Sequence, residues 1–416
     1  MLSHPTSISF FSPRRSFPSA LPSHKLQTPA FCCPQKKSKT GSLLSPAALP
    51  FDLSPPPIDL DPLETAAFPE EDGTPDAYAS ADEALDAFAN GAVVVDLSDY
   101  GRVRVSGEDR IQFLHNQTTA NFECLGEGQG CDTVFVTPTA RTIDISHAWV
   151  MNNAVILVVS PMTCGSITEM LKKYIFFSDK VEIQDITEKT SMCALLGPKS
   201  SKIMDELNLG NLTGKAYGSH EHYSVSFLLI FEVDGMPVTV AVGSTVSVEG
   251  FTFMMSPAAA GAIRKALIGH GAVPMSPDAW ETLRVLQGRP APGKELTEEF
   301  NVLEAGLWRA VSFNKGCYKG QETISRLVTY DGIKQRFWGI RLSSQVAPGS
   351  IITVDGKKVG KLTSYTDGTK ASGPFGLGYI KRRAASEGDS VTVGDTVVGT
   401  LVEVPFLKDQ PPPSKA

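Results

Sequence analysis

Ser312-Phe313-Asn314-Lys315-Gly316-Cys317-Tyr318-Lys319-Gly320-Gln321-Glu322-Thr323-Ile324-Ser325-Arg326-Leu327 sets a thiol, two lysines and two glycines immediately ahead of a segment with helical spacing. Gly316 and Gly320 bracket Cys317 and permit a tight turn at positive φ. A helix opened by Gln321 would aim its free N–H groups back at that turn, a geometry that binds an anion or stabilises a thiolate. Lys315 and Lys319 stand two residues either side of Cys317 and would favour its thiolate, the usual origin of a reactive cysteine. A plainer reading fits the same residues: the glycines turn the chain and Cys317 is a small apolar filler. The residues alone leave both open.

Working outward from this stretch, the pattern differs on its two sides. After Ile333, short strands at Phe337 to Leu342, Ile351 to Val354, Lys357 to Tyr365, Gly376 to Lys381, Ser390 to Val393 and Thr396 to Val404 are joined by turn chemistry, including Asp355-Gly356 at a hairpin. They predict a small antiparallel β-barrel over 334–406. Before it, strands at Val103 to Ser106, Thr133 to Val136, Thr142 to Val150, Ala154 to Ser160 and Val181 to Ile186 enclose helices at Asp109 to Thr118 and Cys164 to Tyr174. A second unit repeats that order without repeating the sequence. It has strands at Met192 to Leu196, Ser224 to Val233, Pro237 to Val242 and Phe251 to Met255, and helices at Pro198 to Leu207 and Pro257 to His270. A helix at Pro277 to Gln287 and a Pro/Gly-interrupted connection lead back to Cys317. The fold class is α+β, with two ferredoxin-like units over 91–333 ahead of the barrel.

The ends of the chain carry a separate signal. Residues 1–51 hold six Lys/Arg, ten Ser, eight Pro and no Asp or Glu, the composition of an organelle transit peptide. Prolines at 5, 13, 18, 22, 29 and 34 would break the amphipathic helix of a mitochondrial presequence, so a chloroplast (stroma) address is preferred and the mitochondrial matrix is the alternative. Residues 52–90 carry eleven Asp/Glu and no Lys or Arg and read as a largely disordered acidic linker in which only Ala81 to Phe88 suits a helical turn or two; 407–416 read as a disordered tail. The remainder has 32 basic and 34 acidic residues, a net charge of −2. Neither a nucleic-acid footprint nor a membrane span is expected. Cys124, Cys131, Cys164, Cys193 and Cys317 form neither a disulfide framework nor a CxxC metal site.

Asn314-Lys315-Gly316-Cys317-Tyr318-Lys319-Gly320-Gln321-Glu322 resembles the signature of the YgfZ-type proteins, the folate-binding relatives of the glycine-cleavage T-protein that support iron–sulfur cluster assembly. Arg102 to Thr119 is similar to that family's opening strand and helix. Gly250-Phe251, Glu281-Thr282-Leu283-Arg284 and Leu303 to Leu307 resemble T-proteins themselves. The resemblance runs over about residues 95–405 and implies a T-protein-like fold around a central folate-sized opening. It implies tetrahydrofolate, or another reduced folate, as ligand, and iron–sulfur carrier or client proteins as partners.

Residue by residue, Ala140-Arg141-Thr142-Ile143-Asp144-Ile145 matches the strand on which T-proteins carry their folate-site acid, so Asp144 inherits that role. Both glycines of the family pattern are replaced here. Before Gly250-Phe251, Val248 stands where T-proteins have a pterin-binding Glu, and Glu249 lies one residue out of register. Cys317 is expected to be the working thiol with Lys315 beside it. Asp144, Glu249, Gly316, Gly320 and Gln321 are expected at the cofactor. His115 reads as a helix-end hydrogen-bonder. Two functions follow from one superfamily: a folate-dependent accessory protein for 4Fe–4S clusters, which the thiol favours, or a one-carbon transferase of T-protein type.

Overall fold

The computed structural model describes residues 78–223, 237–246, 249–370 and 372–408. The strand expected at Ser224 to Val233, Val248 and the two terminal segments lie outside those residues, apart from 78–90 and 407–408.

The helical turns expected at Ala81 to Phe88 form and run on to Asn90. Ala81–Asn90 is a helix (α1), capped by the Ser80 side chain accepting from Glu83 N, and it buries Ala84 and Leu85. Apolar spacing outweighs local acidity here, since Asp82 and Glu83 sit in the first turn, where the helix dipole favours them.

The first α+β unit follows after β1 (Val93–Asp96): β2 (Gly101–Ser106), α2 (Arg110–Gln117), β3 (Gln129–Val136), β4 (Thr142–Val150), β5 (Ala154–Val159), α3 (Cys164–Lys173) and β6 (Glu182–Asp185). Its sheet has the order β3-β4-β5-β2-β6. The second unit is β7 (Ser191–Leu196), α4 (Ser200–Glu206), β8 (His220–Tyr223), β9 (Val238–Val242), β10 (Phe251–Met255), α5 (Pro257–Gly269) and β11 (Val273–Met275). Its sheet runs β8-β9-β10-β7-β1-β11. The two orders superimpose element by element once β1 is removed. β1 is a guest, antiparallel to β7 and parallel to β11. Neither β1 nor β11 was expected from periodicity, because Val93, Val94 and Val95 are buried on both faces and show no alternation.

Side-chain alternation then assigns the layers. In the first sheet, Phe135, Ala148 and Val150 pack with Leu114 and Ile167 of α2 and α3. Trp149, Ile156 and Val158 instead face Met192, Ala194 and Met254 of the other sheet, together with Trp280 of α6 (Pro277–Gln287). Leu195, Val240 and Phe253 cover Ile203 and Ile263 of α4 and α5. The core is therefore layered as helices, sheet, sheet, helices.

After the connection and α7 (Gln321–Thr329), six strands close a barrel: β12 (Gln335–Leu342), β13 (Ile351–Val354), β14 (Lys357–Thr366), β15 (Phe375–Lys381), β16 (Ser390–Val393) and β17 (Val397–Val402). Its β13–β14 hairpin turns on Asp355 and Gly356, both at positive φ, as a type I′ turn requires. A short helix, α8 (Pro405–Lys408), ends the described chain. Arg284 ties the barrel to α6: its buried guanidinium donates to Glu295, Glu281 and Ser364 and to the Arg289 carbonyl. No described helix is long and apolar enough to cross a membrane.

Candidate functional site

The Cys317 loop is held from below. Lys315 turns away from the thiol and donates to the carbonyls of His115, Thr118 and Ala120 at 2.5, 2.7 and 2.6 Å, at and just beyond the C-terminal end of α2, while its ammonium lies 4.6 Å over the Tyr318 ring. Burial pulls the ammonium down to about 7; three carbonyls at the negative end of a helix oppose that loss of the proton. All three of its N–H donors are committed to the backbone. Lys315, expected beside the thiol, thus ties the loop to the end of α2.

Of the two glycines, only Gly320 uses positive φ (+84°); a Cβ there would stand 2.9 Å from the Thr137 carbonyl. Gly320 thus seats the start of α7 against the β3–β4 turn. Gly316 lacks that backbone conformation and instead brings the chain close to His115, whose Nε2 would lie 3.6 Å from an added Cβ. Gln321 folds back to accept from Tyr318 N at 3.4 Å. Lys319 reaches α3, donating to Met170 Sδ at 3.1 Å and lying 4.7 Å over the Tyr174 ring.

The loop so anchored leaves Cys317 exposed. Among the other described cysteines, burial pushes Cys131 and Cys193 up to about 12, and burial with Asp185 raises Cys164. Cys124 is exposed but accepts from Asn121 Nδ2 at 3.0 Å. No group of three or more His, Cys, Asp or Glu among the described residues is arranged to hold a metal.

Asp144, expected at the cofactor, is buried. It pairs with Phe135 on the helix-covered face of the first sheet. There its carboxylate accepts from Ile145 N at 2.7 Å, Ser160 N at 2.8 Å and Thr163 Oγ1 at 2.5 Å. Desolvation raises its pKa against those three bonds. An acid so occupied joins β4 to the β5–α3 turn. Arg141, three residues earlier, donates to the Glu299 carbonyl. Glu249 is exposed next to Gly250, whereas Thr245 and Val246 of the same turn are buried. Arg326 and Arg336 pair with Glu322 and Glu403.

Sequence reading missed a cluster where three parts of the molecule meet. Asp132 on β3 stands directly across from His147 on β4, and its Oδ1 lies 2.9 Å from His147 Nδ1. From the second unit, the Tyr217 hydroxyl donates to the same Oδ1 at 2.8 Å and lies 3.1 Å from His147 Nδ1. From the connection behind α6, the Arg289 guanidinium comes within 3.8 Å of Asp132 Oδ2 and lies 5.3 Å over the Phe406 ring. Desolvation pushes the Asp132 pKa up, but His147, Arg289 and Tyr217 together hold it below the ordinary carboxylate value. His147 and Trp149 are two residues apart on β4 and meet edge to face at 5.7 Å. His147 Nε2 and Trp149 Nε1 are buried with no hydrogen-bond partner among the described residues. Only the cross-strand register and the three-way meeting reveal this cluster, since its residues are scattered from position 132 to position 289.

A cleft of about 830 Å³ opens elsewhere, between residues 331–335 and β14 and β15, lined by cations including Lys334, Lys358, Arg382 and Arg383. It contains none of the expected site residues.

Comparison with known proteins places these features. The model of the GCVT N-terminal domain matches residues 65–315, ending two residues short of Cys317. A protein of Arabidopsis thaliana described as a "putative transferase, chloroplastic" is 64% identical over 371 residues, covering 88% of this chain and 84% of that one. An aminomethyltransferase of Rubrobacter xylanophilus is 27% identical over 337 residues, covering 80% and 88%. The crystal structure of glycine cleavage system aminomethyltransferase T from Bartonella henselae superimposes with a TM-score of 0.68 at 18% identity, covering 79% of this chain and 90% of that one. That likeness confirms the expected fold, barrel included.

Proposed function

We propose that this chain, which belongs to the glycine-cleavage T-protein family, is a tetrahydrofolate-dependent accessory protein for assembling or repairing 4Fe–4S clusters in the plastid stroma. The observation that carries the reading is Cys317, a thiol presented to solvent on a loop pinned from behind by Lys315. A thiolate is a soft ligand suited to iron held by a carrier or client protein. The chloroplastic description of the Arabidopsis relative and the acid-free composition of residues 1–51 support the address.

Whether the chain's own residues suit a reduced folate can be judged at the three-way junction. A pterin is flat and carries both donors and acceptors. His147 Nε2 and Trp149 Nε1 are buried and unpartnered on neighbouring aromatic rings, with the Tyr217 ring beside them, a complement that suits such a ring. When bound, the folate supplies a carrier for one-carbon units. The protein's part is to exclude water and orient the ring, with Asp132 and Arg289 fixing the polar side of the site.

A second reading, a folate-dependent one-carbon transferase, is favoured by the descriptions of the relatives as transferase and aminomethyltransferase. One experiment separates the two. Cells lacking their own YgfZ-type protein receive this chain, either unaltered or as Cys317→Ala, and the activity of a 4Fe–4S enzyme is assayed. Rescue by the unaltered chain alone supports the cluster reading. Rescue by neither, together with turnover of an aminomethyl-loaded lipoyl carrier by the purified protein, supports the transferase.

A further inference from the structure

Buried polar groups in folded proteins are nearly always hydrogen-bonded, and an exception calls for an explanation. His147 is such an exception on one side only. Its Nδ1 is engaged by Asp132 at 2.9 Å, and its side chain is 2% exposed. Its Nε2, on the far side of the ring, is buried without a partner. Asp132 does more than fill a bond. A carboxylate accepts, so in the neutral tautomer that this bond selects Nδ1 carries the proton and Nε2 is an acceptor. Tyr217 shares Asp132 Oδ1, which spends its hydroxyl proton on the carboxylate and leaves the imidazole as the group free to meet a ligand.

The surroundings narrow the ligand. The Trp149 ring, 5.7 Å away and edge to face, carries a donor that also lacks a partner, Nε1. Arg289, 8% exposed, makes no side-chain hydrogen bond among the described residues beyond its 3.8 Å approach to Asp132. An acceptor, an indole donor and a buried cation beside aromatic rings match a planar heterocycle that offers an N–H and a carbonyl along its edge.

We infer that His147 Nε2 is a direct recognition contact for an N–H of the reduced pterin ring, with Asp132 and Tyr217 as the residues that position it. This rests on the folate reading above. The step is reversible binding and alters no covalent bond.

The test is calorimetric titration of the full chain with tetrahydrofolate under anaerobic conditions, using the unaltered protein, His147→Leu, His147→Gln and Asp132→Asn. Loss of the acceptor in His147→Leu should weaken binding by about tenfold, the value of one buried hydrogen bond. His147→Gln, which can still present an amide oxygen, should recover most of that loss. Asp132→Asn should weaken binding about threefold by freeing the ring, an effect a merely structural residue would not show once melting temperatures are matched. Equal affinity in His147→Leu and the unaltered chain would overturn the assignment and leave Nε2 to an ordered water. Should the variants fail to fold, the ¹⁵N resonance of the His147 ring in the unaltered protein decides the matter: it should move on adding tetrahydrofolate, and an unmoved resonance at saturation overturns the contact. An unaltered chain that binds no tetrahydrofolate removes the folate reading itself, and this assignment with it.

Discussion

The Cys317 loop and the His147 junction are built on opposite plans. The loop is contiguous in sequence, exposed at its tip and bonded from beneath; its chemistry is on the outside and its supports are in the backbone. The junction is assembled from residues 132, 147, 217 and 289, is buried, and leaves polar atoms unsatisfied at its centre. Stability is expected to reside in the anchors of the first and folate binding in the loose ends of the second. Substitutions can divide the two.

The largest effect should come from Asp144, to which the sequence points as a ligand contact. Asp144→Ala removes a carboxylate that accepts three hydrogen bonds and strands the donors of Ile145, Ser160 and Thr163. Unfolding by denaturant should show a loss of about 3 kcal/mol or more. An unchanged stability with lost folate affinity would return Asp144 to the site.

Next is the loop's own anchor. Lys315→Met keeps the apolar stem and deletes the ammonium that ties three carbonyls, for a cost of about 2 kcal/mol. The damage should stay local. Hydrogen exchange should rise over residues 312–320 and at the end of α2, and barrel amides should keep their protection. Uniform loss of protection would show that the loop is part of the global core rather than a mounted element.

These two residues also show what the sequence could disclose. Barrel, sheets and helices were legible because alternation, helical spacing and turn residues are local signals: Thr142–Val150, Phe251–Met255 and Pro277–Gln287 have the bounds expected of them. The Cys317 motif was legible because it is contiguous. Where Lys315 and Asp144 point was not, since that depends on which carbonyls or amides a distant element brings to them. His147 was invisible for the same reason. Its partner lies across a β-hairpin with a bulge at Phe135/Val136, and a one-residue change of register would turn the imidazole to the other face of the sheet.

A smaller effect probes the junction through pH. Because Asp132 is held below its ordinary pKa, it binds fewer protons in the folded chain than in the unfolded one. Its contribution is present above about 4 and is lost as the pH falls through the folded value. Asp132→Asn should therefore flatten the decline of the melting temperature below about pH 4 while costing about 1 kcal/mol at pH 7. Asp144, raised by desolvation, titrates in the opposite sense and leaves that difference between variants untouched.

The smallest expected change in stability is the one that matters most to the comparison. Cys317 is exposed, so Cys317→Ser should leave stability within about 0.5 kcal/mol of the unaltered chain. Tetrahydrofolate affinity should also stand, because the thiol lies on the loop and the unpartnered acceptor lies in the junction. Rescue of a 4Fe–4S enzyme should nonetheless fail, since a hydroxyl is a poor ligand for a soft metal. A stable, folate-binding, inactive Cys317→Ser would show that the molecule divides its work between an outer thiol and an inner pocket. If Cys317→Ser lost folate affinity as well, the loop and the junction would have to be one site, and the distinction drawn between them would fall.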